Sequence, residues 1–298
     1  MNYRIGVDLG GSKIEIAGLG PDGSLVGRKR VRTPQGYDAT IAAIAELVAG
    51  FEADVGPAAG IGVGIPGTIC PVTGLVKNAN SRQLNGNAFD RDIAAAIGRT
   101  VRIANDANCF AMSEAMDGAG AGTHCVFGVI LGTGCGGGIV VGGKIHAGRH
   151  GIAGEWGHTP LPWPRDDELP LRSCWCGQRG CLEAYLCGPA LASEVDGAEA
   201  CDARLVFSRA TAGDAMAAHA LDLHLGRLAR GLAMVVNILD PDVIVLGGGL
   251  SNMMHLYEKL PDLIKPFVIG GNFSTPIRPN MHGDSSGVRG AAWLWNEG

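Results

Sequence analysis

Aromatic side chains are scarce, 5% of 298 residues, and no apolar run approaches the roughly 18 uninterrupted residues that a membrane-spanning helix needs. A basic excess is also missing. Lys and Arg number 24 against 29 Asp and Glu, a formal charge of -5 that offers no footing for a polyanion such as nucleic acid. The nine cysteines are odd in number, and several, such as Cys125 and Cys135, fall in apolar segments, so they do not read as a secreted disulfide framework. The first strand pattern begins at Arg4 and leaves no room for a signal peptide, so a cytoplasmic protein without a membrane partner is expected. Glycine is what abounds. Its 48 residues, well above ordinary usage, imply many tight turns and close backbone approaches.

Asp8-Leu9-Gly10-Gly11-Ser12-Lys13 follows the apolar run Ile5-Gly6-Val7. A strand ending in a carboxylate and then glycines lets backbone N–H groups approach a phosphate, while the carboxylate can hold a cation or water there. A glycine hairpin with a solvated lysine would carry the same letters. The following residues, Lys13-Ile14-Glu15-Ile16-Ala17-Gly18-Leu19, alternate polar and apolar and return as a strand. That excludes the usual P-loop, in which the glycine turn feeds a helix.

Gly132-Thr133-Gly134-Cys135-Gly136-Gly137 fits G-x-G-x-x-G, yet Gly138-Ile139-Val140-Val141 reads as strand where a dinucleotide fold needs a helix. Residues 138–144 also fit G-x-x-x-x-G-K, but Ile145 replaces the magnesium-binding hydroxyl, so this match is a coincidence within a hairpin. What survives is a strand, glycine turn, strand pattern that occurs twice. It predicts two related domains, each offering one phosphate loop to a shared cleft, an arrangement that resembles actin-like sugar kinases.

Hydrophobic patterning predicts strands at 4–9, 13–19 and 24–32, a helix at 38–54, and a glycine-bearing strand at 60–65 that ends in Pro66-Gly67. After a polar, irregular segment at 78–87, a helix at 89–98, a strand at 101–104 and a helix at 107–117 complete a first domain, 1–117. The run 118–122 is the expected hinge. A second domain, 118–285, begins with a strand at 125–131 and contains an irregular insertion at 147–187. Helices at 188–196, 213–239 and 254–267 and a buried strand leading into Gly247-Gly248-Gly249 follow. The last helix, within 286–298, needs an apolar surface and is expected to pack back on the first domain.

Cys174-Trp175-Cys176-Gly177-Gln178-Arg179-Gly180-Cys181 is C-x-C-x4-C, with His158 upstream. Three thiolates and one imidazole satisfy the tetrahedral preference of zinc, and such a closed set is structural instead of catalytic. Three free cysteines in a polar loop are the alternative. Cys70, Cys109, Cys187 and Cys201 read as buried small hydrophobes. Asn105-Asp106 lies between a strand and an Ala-rich helix, which makes Asp106 either the helix N-cap or a carboxylate able to take a proton from a sugar hydroxyl. Glu155 and Glu183 flank the cysteine loop, so a metal there would fix both.

DLGGSK, NDAN, GTGCGGG, GEWGH, CWCGQRGCLE and IVLGGG, in this order along essentially the whole chain, resemble the ROK family of sugar kinases and repressors. Lys77-Asn78-Ala79-Asn80-Ser81, residues 237–249 and His282-Gly283-Asp284-Ser285-Ser286-Gly287-Val288-Arg289-Gly290 resemble its bacterial fructokinase or mannofructokinase branch. Ser12 stands where the family has Thr, and Gly137 where it often has Ala.

The resemblance implies an α/β fold of the actin-like ATPase (ribonuclease H-like) type, with duplicated domains, an interdomain cleft and a zinc loop, assembled as a homodimer. It implies Asp106 as general base, with Gly67, Asn80, Asn105, Glu155, His158 and Glu183 around the sugar, His158 serving metal and sugar through its two nitrogens. Asp8 would act through hydrated magnesium. Gly10, Gly11, Ser12, Lys13, Gly132, Thr133 and Gly134 would hold the phosphates of ATP, and Gly247, Gly248 and Gly249 would approach its adenosine. His158, Cys174, Cys176 and Cys181 would hold the zinc.

The expected activity is ATP-dependent phosphorylation of a hexose at its 6-hydroxyl, with D-fructose first and mannose second. The polar residues Asn78, Asn80, Ser81, Asn85 and Asn87 would contact a compact ring near Gly67. A glucokinase or N-acyl hexosamine kinase of the same family is the alternative. From another class comes a sugar-responsive repressor, but no basic helix pair stands before the first strand to bind DNA. Partners are expected to be ATP and a small hexose, with no nucleic acid and no membrane.

Overall fold

A computed structural model describes residues 2–295, so 296–298 of the expected last helix lie outside the described residues. In chain order the elements are β1 (Arg4–Leu9), β2 (Lys13–Leu19), β3 (Leu25–Arg32), α1 (Tyr37–Val55), β4 (Gly60–Ile65), β5 (Thr68–Ile69), β6 (Val76–Lys77), α2 (Phe89–Ile97), β7 (Arg102–Asn105) and α3 (Asp106–Met116). Then follow β8 (Cys125–Leu131), β9 (Cys135–Val141), β10 (Lys144–Ile145), α4 (Glu183–Leu186), α5 (Gly188–Asp196), α6 (Ala203–Thr211), α7 (Ala215–Leu239), β11 (Val243–Gly247), α8 (His255–Ile264), β12 (Ile277–Pro279) and α9 (Ser286–Trp293). Among the described residues no helix is long and apolar enough to cross a membrane.

The fold is α/β, with two five-stranded sheets ordered β3-β2-β1-β4-β7 and β10-β9-β8-β11-β12. The second order repeats the first, position for position. β1 is antiparallel to β2 and parallel to β4, which is parallel to β7; β11 lies parallel between β8 and β12. Each expected glycine turn therefore joins the central strand of a sheet to its neighbour, the first between β1 and β2, the second between β8 and β9.

Two compact units form, one from residues up to 124 with 138–153 and 281 onward, the other from 125–137 with 154–280. The first crossing thus falls between His124 and Cys125, not at 117–118. The run 118–122, expected to be a hinge, is tied to α3 instead. Glu114, fully buried, accepts from Ala119 N at 3.0 Å and Met281 N at 3.1 Å through Oε2, and from the Ser286 hydroxyl at 2.9 Å through Oε1. Its backbone carbonyl takes Gly120 N at 2.8 Å. A buried carboxylate needs several donors, and this one draws one of them from the turn.

In the first unit, side-chain alternation divides β1 and β2. Ile5, Val7, Leu9, Ile14 and Ile16 join Ile44, Val48 and Phe51 of α1 in one apolar cluster. The other face of β1 carries Gly6 and receives α9. A Cβ on Gly6 would overlap the Val288 carbonyl and come within 2.7 Å of Ala292 N, and one on Gly62 of β4 would overlap the Ala291 carbonyl. On the far side, Gly290 of α9 meets α3, where a Cβ would lie 2.8 Å from Cys109 Cα. Helix α9 is packed backbone to backbone.

In the second unit the helix expected at 213–239 begins only at Ala215, because Asp214 caps it, its Oδ1 accepting from Met216 N at 2.9 Å and Ala217 N at 3.2 Å. The residues before this cap form the separate, unanticipated α6.

Gly62→Ala should cost about 3 kcal/mol or more, because neither β4 nor α9 can retreat from the added methyl. Gly50→Ala, inside α1 with nothing within 4 Å of the new Cβ, should instead stabilise by about 0.5–1 kcal/mol. Urea unfolding of the two variants checks the opposite signs.

Candidate active site

The β1–β2 turn is closed from within. Gly10 N donates to the Lys13 carbonyl at 3.0 Å, and Thr33 holds the turn by donating its N–H to Ser12 O at 3.0 Å and its hydroxyl to Gly10 O at 2.7 Å. Gly10 is thereby spent on the turn, which leaves the exposed Gly11 and Ser12 to present N–H groups to a phosphate. Asp8 closes β1 immediately before this turn. Burial, then the negative charges of Asp106 and Glu15, push its carboxyl up to about 6, against the opposing pull of Lys13 and Arg30. A carboxylate so short of positive charge fits a site for hydrated magnesium.

Asp106 opens α3, but the cap is Asn105, whose Oδ1 accepts from Ala107 N at 2.9 Å and Asn108 N at 3.3 Å. Asp106 Oδ1 also accepts from Ala107 N, at 2.8 Å, so Asn105 is the cap while both residues serve the first turn of α3. Asn105 also donates from Nδ2 to the Gly67 carbonyl at 3.0 Å, so its amide is engaged at both ends in holding α3 and the end of β4 together. The polar segment at 78–87 is similarly committed. Asn85 pairs with the Ala79 backbone in both directions at 2.9 and 2.8 Å, and Asn87 donates to Gln83 O at 2.9 Å. Asn80 stays exposed. Asn85 and Asn87 build the loop and do not offer themselves to a sugar ring.

In the second unit the β8–β9 turn repeats the first. Gly132 N donates to Gly134 O at 3.0 Å and Gly132 O accepts from Gly188 N at 2.7 Å, leaving Thr133 exposed at the tip. Glu183, at the start of α4, accepts from Cys135 N at 2.9 Å through Oε2 and from the Trp175 indole through Oε1. One carboxylate therefore links the phosphate-type turn to the cysteine loop. Trp156 secures the other side of β9, its indole donating to Gly136 O at 2.9 Å. Glu155 lies one residue before it, at the start of the short turn Trp156–His158, where its backbone carbonyl accepts from His158 N at 3.1 Å. At the end of β11, Gly248 has φ +81 and is packed against the Leu131 backbone, whereas Gly249 has open space around it. Of the triplet, Gly249 offers the approach to a ligand.

His158, Cys174, Cys176 and Cys181 converge with all four donor atoms within 4.8 Å of one another. His158 Nδ1 lies 3.6 Å from Cys174 Sγ, and Cys176 Sγ lies 3.6 Å from Cys181 Sγ. The edges of a tetrahedral zinc site with these ligand types are about 3.5–3.8 Å, so the donor set fits the ion. The strand-like stem of this loop is anchored by residues that sequence reasoning did not single out. Glu168, 6% exposed, binds Arg230 Nη2 at 2.6 Å and Arg227 Nε at 3.0 Å from α7. Burial alone would raise its pKa, but hydrogen bonds from Arg230, the Arg165 backbone and Arg227 outweigh burial and hold it at about 2. The available signal was two arginines three residues apart on an otherwise apolar Ala- and Leu-rich helix face, which require a carboxylate partner.

The sequence profile of the ROK family matches residues 4–298. The chain is 39% identical to the N-acetyl-D-glucosamine kinase of Pasteurella multocida (strain Pm70), over 98% of this chain and 99% of that protein. Among solved structures, a ROK hexokinase from Thermus thermophilus superposes with a TM-score of 0.86 at 32% identity, covering 98% of this chain and 97% of that one. A ROK family glucokinase from Streptomyces griseus, in complex with glucose and AMPPNP, gives 0.77 at 27% identity over 100% of both chains.

The Asp8 carboxyl titrates near 6 when folded against an ordinary 3.8, so the native state binds the extra proton. Its contribution to stability is fully present below the ordinary value and is lost as pH rises through about 6. Without nucleotide, Asp8→Asn should therefore be more stable than the parent at pH 7.5, on the order of 2 kcal/mol. The difference should shrink toward pH 4 in urea unfolding.

Proposed function

The chain belongs to the ROK family, and we propose that it is an ATP-dependent kinase of an N-acyl hexosamine, with N-acetyl-D-glucosamine as its foremost substrate. The observation that carries this reading is the 39% identity, over nearly the whole of both chains, to an N-acetyl-D-glucosamine kinase. It replaces fructose as the expected sugar. The structure also narrows the case for fructose: Asn85 and Asn87 are engaged in their own loop, and Ser286, Gly287, Arg289 and Gly290 of the fructokinase-like motif dock α9 within the first unit.

In this reading Asp106 removes the proton of the sugar 6-hydroxyl as that oxygen bonds to the γ-phosphorus and the bond to the β–γ bridging oxygen breaks, releasing ADP. Asn105 supports the step by capping α3, and Ala107 N, bonded to Asp106 Oδ1 at 2.8 Å, holds the Asp106 carboxylate at the helix start. Magnesium, when bound beside Asp8, offsets the charge of the phosphates. Gly11 and Ser12 supply N–H groups to those phosphates. Zinc held by His158, Cys174, Cys176 and Cys181 acts as a structural crosslink. His158 meets the cysteine cluster through Nδ1, which leaves Nε2 for a sugar hydroxyl.

An ATP-coupled assay across N-acetylglucosamine, N-acetylmannosamine, glucose, mannose and fructose tests the assignment. The N-acetylated sugar should exceed fructose in kcat/KM by at least about ten-fold, since a site built for the acetamido group leaves polar groups unpaired with any other sugar. Equal or better use of fructose would return the chain to the broader hexose kinase reading. Asp106→Asn should lower kcat by about 100- to 10,000-fold while sugar binding persists, as expected for a lost general base.

Protein purified without added zinc should carry close to one zinc per chain by metal analysis. Cys176→Ser should lose that metal and weaken sugar binding, because Glu183 is positioned partly by Trp175 of the same loop.

A further inference from the structure

Sheet register places a charged row beside the first phosphate-type turn that the mechanism above does not use. Directly opposed residues of antiparallel strands share a face, and Asp8 of β1 opposes Glu15 of β2, which opposes Arg30 of β3. The next rung toward the turn on the same face opposes Lys13 to Arg32. Glu15 is 1% exposed and collects three cations: Arg30 Nε at 2.6 Å, Arg28 through its Nε, and Lys13 Nζ at 3.9 Å. Both arginines spend Nε on it, so their terminal nitrogens are left for another acceptor.

Charge along this row does not balance. Two carboxylates, Asp8 and Glu15, stand against Lys13, Arg28, Arg30 and Arg32, and Arg32 is exposed and makes no ion pair among the described residues. Lys13 and Arg32, like charges in directly facing positions, repel each other. Such a pair is stabilised by an anion laid across it. The turn that Lys13 and Arg32 flank is the one whose Gly11 and Ser12 N–H groups are exposed, and Thr33, next to Arg32, is bonded to that turn at both ends. A membrane or nucleic acid would need a broad basic surface, whereas these cations lie on two adjacent rungs beside a carboxylate.

We propose that Arg30 and Arg32 of β3, together with Lys13, form a cationic row that binds the polyphosphate of the nucleotide, with Glu15 as the positioning residue that aims Arg30 and Lys13 at the β1–β2 turn. This rests on the reading of the chain as an ATP-dependent kinase. It adds to that reading two binding residues from a strand outside the glycine turn and one buried residue that acts through them.

The test is calorimetric binding of magnesium and a nonhydrolysable ATP analogue to the full chain, with steady-state kinetics alongside. Arg30→Met and Arg32→Met should each weaken analogue binding and raise KM for ATP about ten-fold, the scale of a lost charge-assisted contact, with KM for the sugar unchanged. Arg30→Lys should recover part of the loss. Glu15→Gln should weaken the analogue at unchanged sugar KM. Arg32→Met, on an exposed side chain, keeps the test decisive if Glu15→Gln does not fold. Lys29→Met is the control: the same strand and charge, but on the opposite face and paired with Asp54. The salt dependence of analogue binding should fall in the arginine variants and not in the control. Unchanged binding in both arginine variants would overturn the inference, as would equal weakening in Lys29→Met. Failure of the parent to phosphorylate any hexose while it still binds the analogue would instead overturn the kinase reading, and the binding arms would still decide the role of the row.

Discussion

Contact of bare backbone with bare backbone is the constraint on which the first unit depends. Helix α9 reaches β1 at Gly6, β4 at Gly62 and α3 through its own Gly290, with no side chain between the main chains. These are the elements that carry Asp8 and Asp106. Two carboxylates that share one electrostatic environment are therefore set by the tightest packing in the unit, where a displacement the size of a methyl group has nowhere to go. Burial first, and after it the negative charges of Asp106 and Glu15, raises the Asp8 pKa.

The second unit solves a different problem. Its insertion has little regular structure, yet in the proposed kinase it would have to present His158, Glu155 and Glu183 in fixed places. It does so by polar crosslinking: four metal-type donors at one end, the Glu168 pairs with Arg227 and Arg230 at the other, and Glu183 joining the loop to β9. Such links are directional where apolar packing is not, so a loop without a core of its own can still hold angles.

Much of this was legible in the letters. Strict alternation after Asp8 separated a hairpin from a P-loop, and the strand after Gly137 removed the dinucleotide reading; both elements are present as β2 and β9. Cysteine spacing announced a cluster whose geometry fits a metal. Polar residues serving backbone were harder to read. Asn85 and Asn87 resembled ligand contacts and proved to be loop braces, Asn105 took the cap that Asp106 could have filled, and Asp214 ended a helix pattern that hydrophobicity alone would have continued. The glycines at 118–122 suggested slack, whereas the buried Glu114, just before them in the chain, draws the run in. Periodicity reports which face is buried. It does not report which buried backbone groups a side chain must satisfy, and sugar identity was inferred from residues of that second kind.

The discontinuity of the first unit has a consequence for biosynthesis. Its central sheet is complete in sequence by Asn105, but the helix that covers β1 and β4 is α9, supplied only after the whole second unit has been translated. On the ribosome the usual order is thereby inverted: the later-made unit can close while the earlier-made sheet still waits with one face bare. Gly6 and Gly62 line that bare face, and since they carry no side chains it presents little apolar area to solvent during the wait. The groove that admits α9 so closely is also one that a nascent chain can leave open with little tendency to stick.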